Sequence, residues 1–350
     1  MILTALFSLG LAVASLVPPA PVPVPMSDPG APPALESVSW AIYDESAGVK
    51  LASWNGDLER SMASVTKVMT AMIVLDELQL DDTVTVPAIA TTGFGSSAGL
   101  VAGEEWRVYD LLIAMLVRSG NDAAMTLAWK VGDESIDTFV DLMNQRATEF
   151  GMENTSFANP HGLDAPGHYS TANDLLKLTL ASLDYPVLQD IVRIRLVKLP
   201  DDPTGKNRMV KNTNLLLGAY PGVVGLKTGE TPLADRVLLS VAKRGDRRLV
   251  GVVMGSDDHF GDTREMLEWG FTTYGLRDRW FRPFFAEQGG AGVPVPDLEL
   301  SEGEVRRLRM MPALNNGRWR LSALADLPKA GLIGEWLKDT LPGVYEEPDA

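Results

Sequence analysis

The chain has no cysteine, only 3 histidines, and 31 lysines and arginines against 46 aspartates and glutamates. Each shortage removes a class of chemistry. Without cysteine there is no thiolate nucleophile, no disulfide framework and no cysteine-ligated zinc. The histidines, His161, His168 and His259, form no H-E-x-x-H pair, so a catalytic zinc is not indicated and no metal or cofactor is expected. A formal net charge of −15 argues against nucleic acid as a partner, because phosphate contact needs a basic face. No long apolar run follows residue 283, so no C-terminal membrane anchor is expected.

What remains is a chain of 350 residues, 45% hydrophobic, enough to bury one large core and a smaller one. Met1–Val17 is nearly uncharged and apolar, with Ala12, Ala14 and Ser15 near its end. It reads as a signal peptide or signal-anchor over residues 1–17, although no Lys or Arg precedes it. Residues 18–35, with Pro18, Pro19, Pro21, Pro23 and Pro25, read as a semi-rigid linker. Residues 36–282 read as the main domain, and 283–350 as a linker with a small C-terminal region. There, Leu332, Ile333, Trp336 and Leu337 lie at helical spacing, better explained by packing than by a membrane surface, since the neighbourhood is acidic.

Within the main domain, Ser39–Tyr43 and Val49–Trp54 predict two strands joined by a turn at Glu45–Gly48. Apolar residues three and four apart predict a helix over Ser64–Leu78. Further helices are predicted over Leu111–Val117 with Asp110 as cap, over Asp122–Lys130, over Ser135–Phe150, and from Thr171 to a stop before Pro186. Asn159–Tyr169 is loop-like. Val223–Thr228, Val237–Ala242 and Leu249–Met254 predict strands, and Thr263–Tyr274 a last helix. Helices bracketed by early and late strands indicate an α/β (α+β) sandwich, an antiparallel sheet with an inserted helical region.

Three short strings carry the chemistry: Ser64-Val65-Thr66-Lys67, Ser119-Gly120-Asn121 and Lys227-Thr228-Gly229. A serine hydroxyl needs a neighbour to take its proton, and a lysine can do so once burial or another cation lowers its pKa. On a helix, positions i and i+3 share a face, so Ser64 and Lys67 can meet. Lys227 supplies positive potential, and Lys227 and Thr228 suit a terminal carboxylate. Backbone N–H groups of Ser64 and Glu230 can face a developing oxyanion. Asn121 can hold a substrate amide, and Ser119 can relay a proton to a leaving amine.

Singly, these strings are weak evidence, since each serine could be a helix cap and each lysine a surface charge. Ser240-Val241-Ala242-Lys243 repeats the first pattern, but in a strand, where residues three apart point to opposite faces. Ser53-Trp54-Asn55 repeats the second on the wrong side of the first. Gly95-Ser96-Ser97-Ala98-Gly99 fits G-x-S-x-G without the strand and helix a nucleophile elbow needs. His161 and His168 sit in the Pro/Gly loop, suited to tying down backbone. Order, spacing and local structure together select one set.

The words around that set, "SMASVTKVMTAM", "LVRSGNDAAMTLA", "MNQRATEFGMENTSFANPHGLDAPGHYSTANDL", "NTNLLL" and "GVVGLKTGETPLAD", closely resemble serine-type D-alanyl-D-alanine carboxypeptidases, the low-molecular-weight penicillin-binding proteins. The likeness runs from about Val38 to Tyr274. It implies a transpeptidase/β-lactamase-like fold and an extracytoplasmic, cell-envelope location, secreted or periplasmic. It also implies removal of the terminal D-alanine from peptidoglycan stem peptides, with β-lactam antibiotics as covalent inhibitors. Ser64, Lys67, Ser119 and Asn121 would then be catalytic, and Lys227, Thr228, Gly229 and Glu230 substrate-binding. Peripheral association with membrane or cell wall stays open.

The chain departs from the family where Glu230 follows K-T-G and Asp235-Arg236 follows Ala234. Strand alternation predicts that Glu230 points away from the site. Arg264 is the candidate for the arginine the family adds to the carboxylate site. A class A-like β-lactamase is the enzymatic alternative, opposed by the lack of an E-x-x-L-N-like string. A non-catalytic cell-wall peptide binder is the other.

Overall fold

Alternation along a single strand divides the core in two. In β1 (Ser39–Asp44), Ala41 belongs to one buried apolar cluster while Trp40 and Ile42 belong to another, as expected of successive residues on opposite faces. The structure, a computed structural model, describes residues 31–93, 95–205, 207–286, 319–320 and 345–346. The signal segment, most of the proline-rich linker and the Leu332–Leu337 stripe lie outside them.

β1 pairs antiparallel with β2 (Val49–Trp54). The helical region follows: α1 (Lys67–Glu77), the hairpin β3 (Thr83–Thr85) and β4 (Glu105–Arg107), α2 (Val108–Leu116), α3 (Asn121–Val131), α4 (Ile136–Glu149), α5 (Ala172–Ser182) and α6 (Pro186–Val192). A second hairpin, β5 (Leu196–Leu199) and β6 (Arg208–Lys211), leads back to the sheet as β7 (Val223–Thr231), β8 (Asp235–Arg244) and β9 (Arg247–Ser256). The five-stranded sheet runs β2-β1-β9-β8-β7, antiparallel throughout. β7 is therefore an edge strand, with β8 on one side only.

The inserted helices cover one face. Val68, Met69 and Met72 of α1 and Leu111 and Leu112 of α2 share a cluster with Leu239, Val250 and Val252 of the sheet. On the other face, Met266, Leu267 and Phe271 of α7 (His259–Ala286) pack on Trp40, Leu238 and Val253. Covering on both sides explains why β8 and β9 are apolar almost without interruption. Among the described residues no helix is long and apolar enough to cross a membrane.

Several boundaries differ from the periodicity. Ser64 lies on a 3₁₀ turn, Ala63–Thr66, and α1 begins only at Lys67. The tight turn follows from Ala63 entering at φ +50 and from Thr66 Oγ1 donating to Ala63 O at 2.8 Å. Asp110 sits inside the first turn of α2, and the N-cap is Arg107, which makes no side-chain cap. Asp110 instead accepts from the Arg107 guanidinium at 2.9 Å. Pro186 does not merely end a helix but opens α6 at its first turn, where a missing N–H costs nothing. Thr171 caps α5 as its S/T-x-x-D start predicts, and Ser135, read as the first helical residue, is instead the N-cap of α4; they accept from Asp174 N and Thr138 N.

The chain divides into two units, Met1–Pro283 and Phe284–Ala350. In the second, β10 (Trp319–Arg320) and β11 (Tyr345–Glu346) pair in parallel.

Candidate active site

The turn that carries Ser64 is fixed by its neighbours before any chemistry begins. Gly162 lies against it so closely that a Cβ there would stand 2.0 Å from Ala63 O, and its φ of +90 suits glycine alone. Because the Thr66 hydroxyl donates to Ala63 O, His168 Nε2–H donates to Thr66 Oγ1 at 2.9 Å, while His168 Nδ1 accepts from Ala158 N at 3.0 Å. Burial holds His168 neutral, with a pKa lowered to about 4. His161 is lowered to about 3 by burial and then by Lys67, and its Nδ1 accepts from Leu163 N at 3.2 Å. Both histidines thus tie down loop backbone, as their setting in the sequence suggests.

Lys67, at the start of α1, is fully buried; its Nζ lies 2.8 Å from Ser64 Oγ and 2.6 Å from His161 O. The loop Asn159–Tyr169 therefore contributes a backbone carbonyl to the site. Asn159 holds that loop, its Oδ1 accepting from Gly162 N at 2.7 Å and its Nδ2 donating to Leu163 O at 2.9 Å. Thr70, one turn along α1, donates to Pro160 O at 2.7 Å. Burial above all, and then the nearby Lys227 charge, push the Lys67 pKa well below the ordinary lysine value.

Ser119 and Asn121 reach the same place from the α2–α3 junction. Ser119 adopts φ +66, and Gly120 is the N-cap of α3. The Ser119 hydroxyl accepts from Lys227 Nζ at 2.9 Å, and Lys227 Nζ also donates to Thr228 O at 2.9 Å. Lys227 is 1% exposed, and burial lowers its pKa to about 7. Asn121 is buried beside a glycine loop: a Cβ on Gly95 would stand 2.9 Å from Asn121 Nδ2. The Gly95–Gly99 string is this loop and carries no nucleophile elbow. The repeat of the first pattern in β8 also falls apart, since Ser240 is buried and bonded to Gly251 O, while Lys243 is exposed.

Gly229 explains the third string. A Cβ at this position would lie 2.9 Å from both Ala63 Cβ and Ser64 N, so only glycine lets β7 run against the Ser64 turn. Thr228 Oγ1 donates to Thr213 Oγ1 at 2.6 Å. Glu230 points away as alternation predicts: it is exposed, with Arg236 Nε 3.4 Å from Oε1. Asp235 also leaves the cleft, pairing with Arg60 at 3.1 Å. Arg264 is not brought to the site. It lies on α7, lining a groove with Glu36, Tyr220 and Glu268.

Three contributors escape a reading by motif. Asp122 accepts from Ala98 N, Gly99 N, Leu100 N and the Ser97 hydroxyl, clamping the loop beside Asn121. Asp164 accepts from the Thr231 hydroxyl at 2.8 Å and from Leu233 N at 3.1 Å, joining the loop that meets Lys67 to the strand that follows K-T-G. The third is the His161 carbonyl. An acid after an S-G-N string and an aspartate after H-G-L were visible in the sequence, but their partners were not.

Comparison with known proteins places this geometry. The family model described as D-alanyl-D-alanine carboxypeptidase matches residues 27–258. D-alanyl-D-alanine carboxypeptidase DacC of Escherichia coli is 34% identical over 86% of this chain and 80% of its own length. DacB2 of Mycobacterium tuberculosis is 34% identical over 67% of this chain and 81% of its own. Among solved structures, the Streptomyces K15 DD-transpeptidase superposes with a TM-score of 0.66 at 31% identity, covering 69% of this chain and 99% of that one. A penicillin-binding protein homolog of M. tuberculosis gives 0.66 at 31%, over 77% and 98%. On this evidence the chain belongs to the D-alanyl-D-alanine carboxypeptidase family.

Proposed function

We propose that this protein is a serine D-alanyl-D-alanine carboxypeptidase that removes the terminal D-alanine of peptidoglycan stem peptides through an acyl-serine intermediate. The observation that carries the reading is the 2.8 Å contact between Ser64 Oγ and a buried Lys67 whose ammonium is disfavoured. Neutral Lys67 takes the Ser64 proton as Oγ attacks the carbonyl of the penultimate D-alanine. The oxyanion faces the Ser64 and Glu230 N–H groups, on the 3₁₀ turn and the edge strand that Gly229 allows to meet. Collapse of the tetrahedral adduct breaks the C–N bond. The leaving amine receives, relayed by Ser119, the proton that Lys67 took from Ser64, which returns Lys67 to its neutral form; Ser119 is itself held by Lys227. Water then cleaves the acyl-serine ester, with Lys67 again as base. Lys227, Thr228 and Asn121 hold the carboxylate and amide of the substrate.

A β-lactam would enter by the same attack, but its amine stays tethered after ring opening, so the ester persists. A class A-like β-lactamase is disfavoured because the loop facing Lys67 offers a backbone carbonyl in place of a glutamate carboxylate. A non-catalytic binder would need Glu230 and Asp235 to spoil the cleft, and both are paired to arginines, Arg236 and Arg60. We place the enzyme outside the cytoplasm, where peptidoglycan lies, with residues 1–17 as its export signal or anchor.

The test is D-alanine release from a peptide ending in D-Ala-D-Ala, by wild type and by Ser64→Ala. Release is expected from wild type alone; equal release by both would remove Ser64 from the reaction.

A further inference from the structure

One string singled out in the sequence, Asn212-Thr213-Asn214, has no part in the mechanism above, and its three residues divide sharply by what they touch. Asn212 and Asn214 are buried and their side chains bond to backbone, their Oδ1 atoms within the turn they build and Asn212 Nδ2 to the segment at the end of α6. Asn212 Nδ2 donates to Val192 O at 3.1 Å and to Ile194 O at 2.9 Å, and its Oδ1 accepts from Asn214 N at 2.9 Å. Asn214 Oδ1 accepts from Leu216 N at 3.1 Å. These are turn-forming bonds of the Asx kind. The residue between them, half-buried Thr213, presents its hydroxyl to the Thr228 hydroxyl of K-T-G at 2.6 Å.

We propose that Thr213 is a positioning residue for the substrate carboxylate, orienting and polarising the Thr228 hydroxyl that binds it. This rests on the carboxypeptidase reading given above. A hydroxyl has one proton to donate, and a carboxylate can only accept. In the structure Thr228 donates to Thr213. When a carboxylate arrives, Thr228 must turn its proton onto it, and its oxygen then needs a donor. Thr213 reverses its own hydroxyl to supply that proton. Two hydroxyls in series polarise one another, so the bond to the carboxylate is stronger than a lone threonine would make. The asparagines keep Thr213 from swinging away, and the arginine expected at this subsite, Arg264, lies on α7 instead. Lys227 and the hydroxyl pair then account for recognition of the chain end.

The experiment compares wild type, Thr213→Val and Thr213→Ser on a peptide ending in D-Ala-D-Ala and on the same peptide with its C-terminus amidated. Because the pair acts on a group that does not react, its loss should appear in KM and spare kcat. T213V is expected to raise KM for the free acid by up to roughly tenfold, the upper end of the scale for one lost neutral hydrogen bond. It should narrow the preference for acid over amide by the same factor at an unchanged Tm. T213S, which keeps the hydroxyl, should behave as wild type. An unchanged KM in T213V, T213S as impaired as T213V, or a loss of kcat and Tm together with KM would each overturn the assignment. Absence of D-alanine release by wild type itself would instead strike the underlying reading.

Discussion

Replacing Gly229 with alanine tests whether β7 and the Ser64 turn work as one unit. The added Cβ would meet Ala63 Cβ and Ser64 N at 2.9 Å and Met62 O at 3.2 Å, whereas ordinary contact begins at 3.4 Å. These atoms belong to a rigid turn and not to the end of a flexible side chain, so β7 must retreat by 3.4 minus 2.9, or 0.5 Å. Overpacking of this kind costs about 1–3 kcal/mol, a fall in Tm of about 2–12 °C for a domain of this size. The same retreat opens the gap between the two oxyanion donors, and misplacements on the scale of 1 Å cost about 100-fold in rate. We expect G229A to acylate with a fluorescent penicillin about 10- to 100-fold more slowly than wild type. Gly251→Ala is the control. Its Cβ would meet Met266 Cε at 2.5 Å and Ser240 Oγ at 2.8 Å, closer contacts but with side-chain ends away from Ser64. It should lower Tm without slowing acylation. Wild-type acylation by G229A, or an equal slowing by G251A, would refute the reasoning.

Two further expectations concern protons. Lys227 must be charged to attract the substrate carboxylate, and with a pKa of about 7 in the free enzyme it loses that charge as pH rises through neutrality. Because kcat/KM reports the free enzyme, it should fall above pH about 7, whereas an alkaline limb near the ordinary lysine value would contradict a buried Lys227. On the acid side, activity should fall as Lys67 takes up the proton that burial and Lys227 discourage. His168, neutral in the fold down to about pH 4 against 6.5 unfolded, gains protons on unfolding within that window. Stability should therefore decline as pH drops from 6.5 towards 4, by roughly 3 kcal/mol from this group. Urea melts of wild type and His168→Gln should show a weaker pH dependence in the variant; identical dependence would remove His168 as its source.

Much of this architecture was legible because it rests on local periodicity. The strands at Val49–Trp54 and Leu249–Met254 and the capped helices after Ser135 and Thr171 follow from patterns within a few residues of one another. The 3₁₀ turn at Ser64 was not legible, since it depends on the positive φ of Ala63, which periodicity does not show, and is packed against Gly162 from a loop about a hundred residues away. The hairpins β3–β4 and β5–β6 were missed for a related reason: three- and four-residue strands carry too few alternating positions to stand out.

Residue type and spacing alone determined which side chains could react. A serine and a lysine one helical turn apart, then a serine and an asparagine, then a lysine beside a glycine leave little other chemistry in a chain without cysteine. The fold alone decided how those groups are tuned. His161 lends Lys67 a backbone carbonyl, Asp122 and Asp164 lock the loops around the cleft, and Arg60 pairs with Asp235 away from it. A carbonyl is the same in every residue, and an ion pair depends on which strands lie side by side, so neither leaves a mark on sequence that precedes the packing itself.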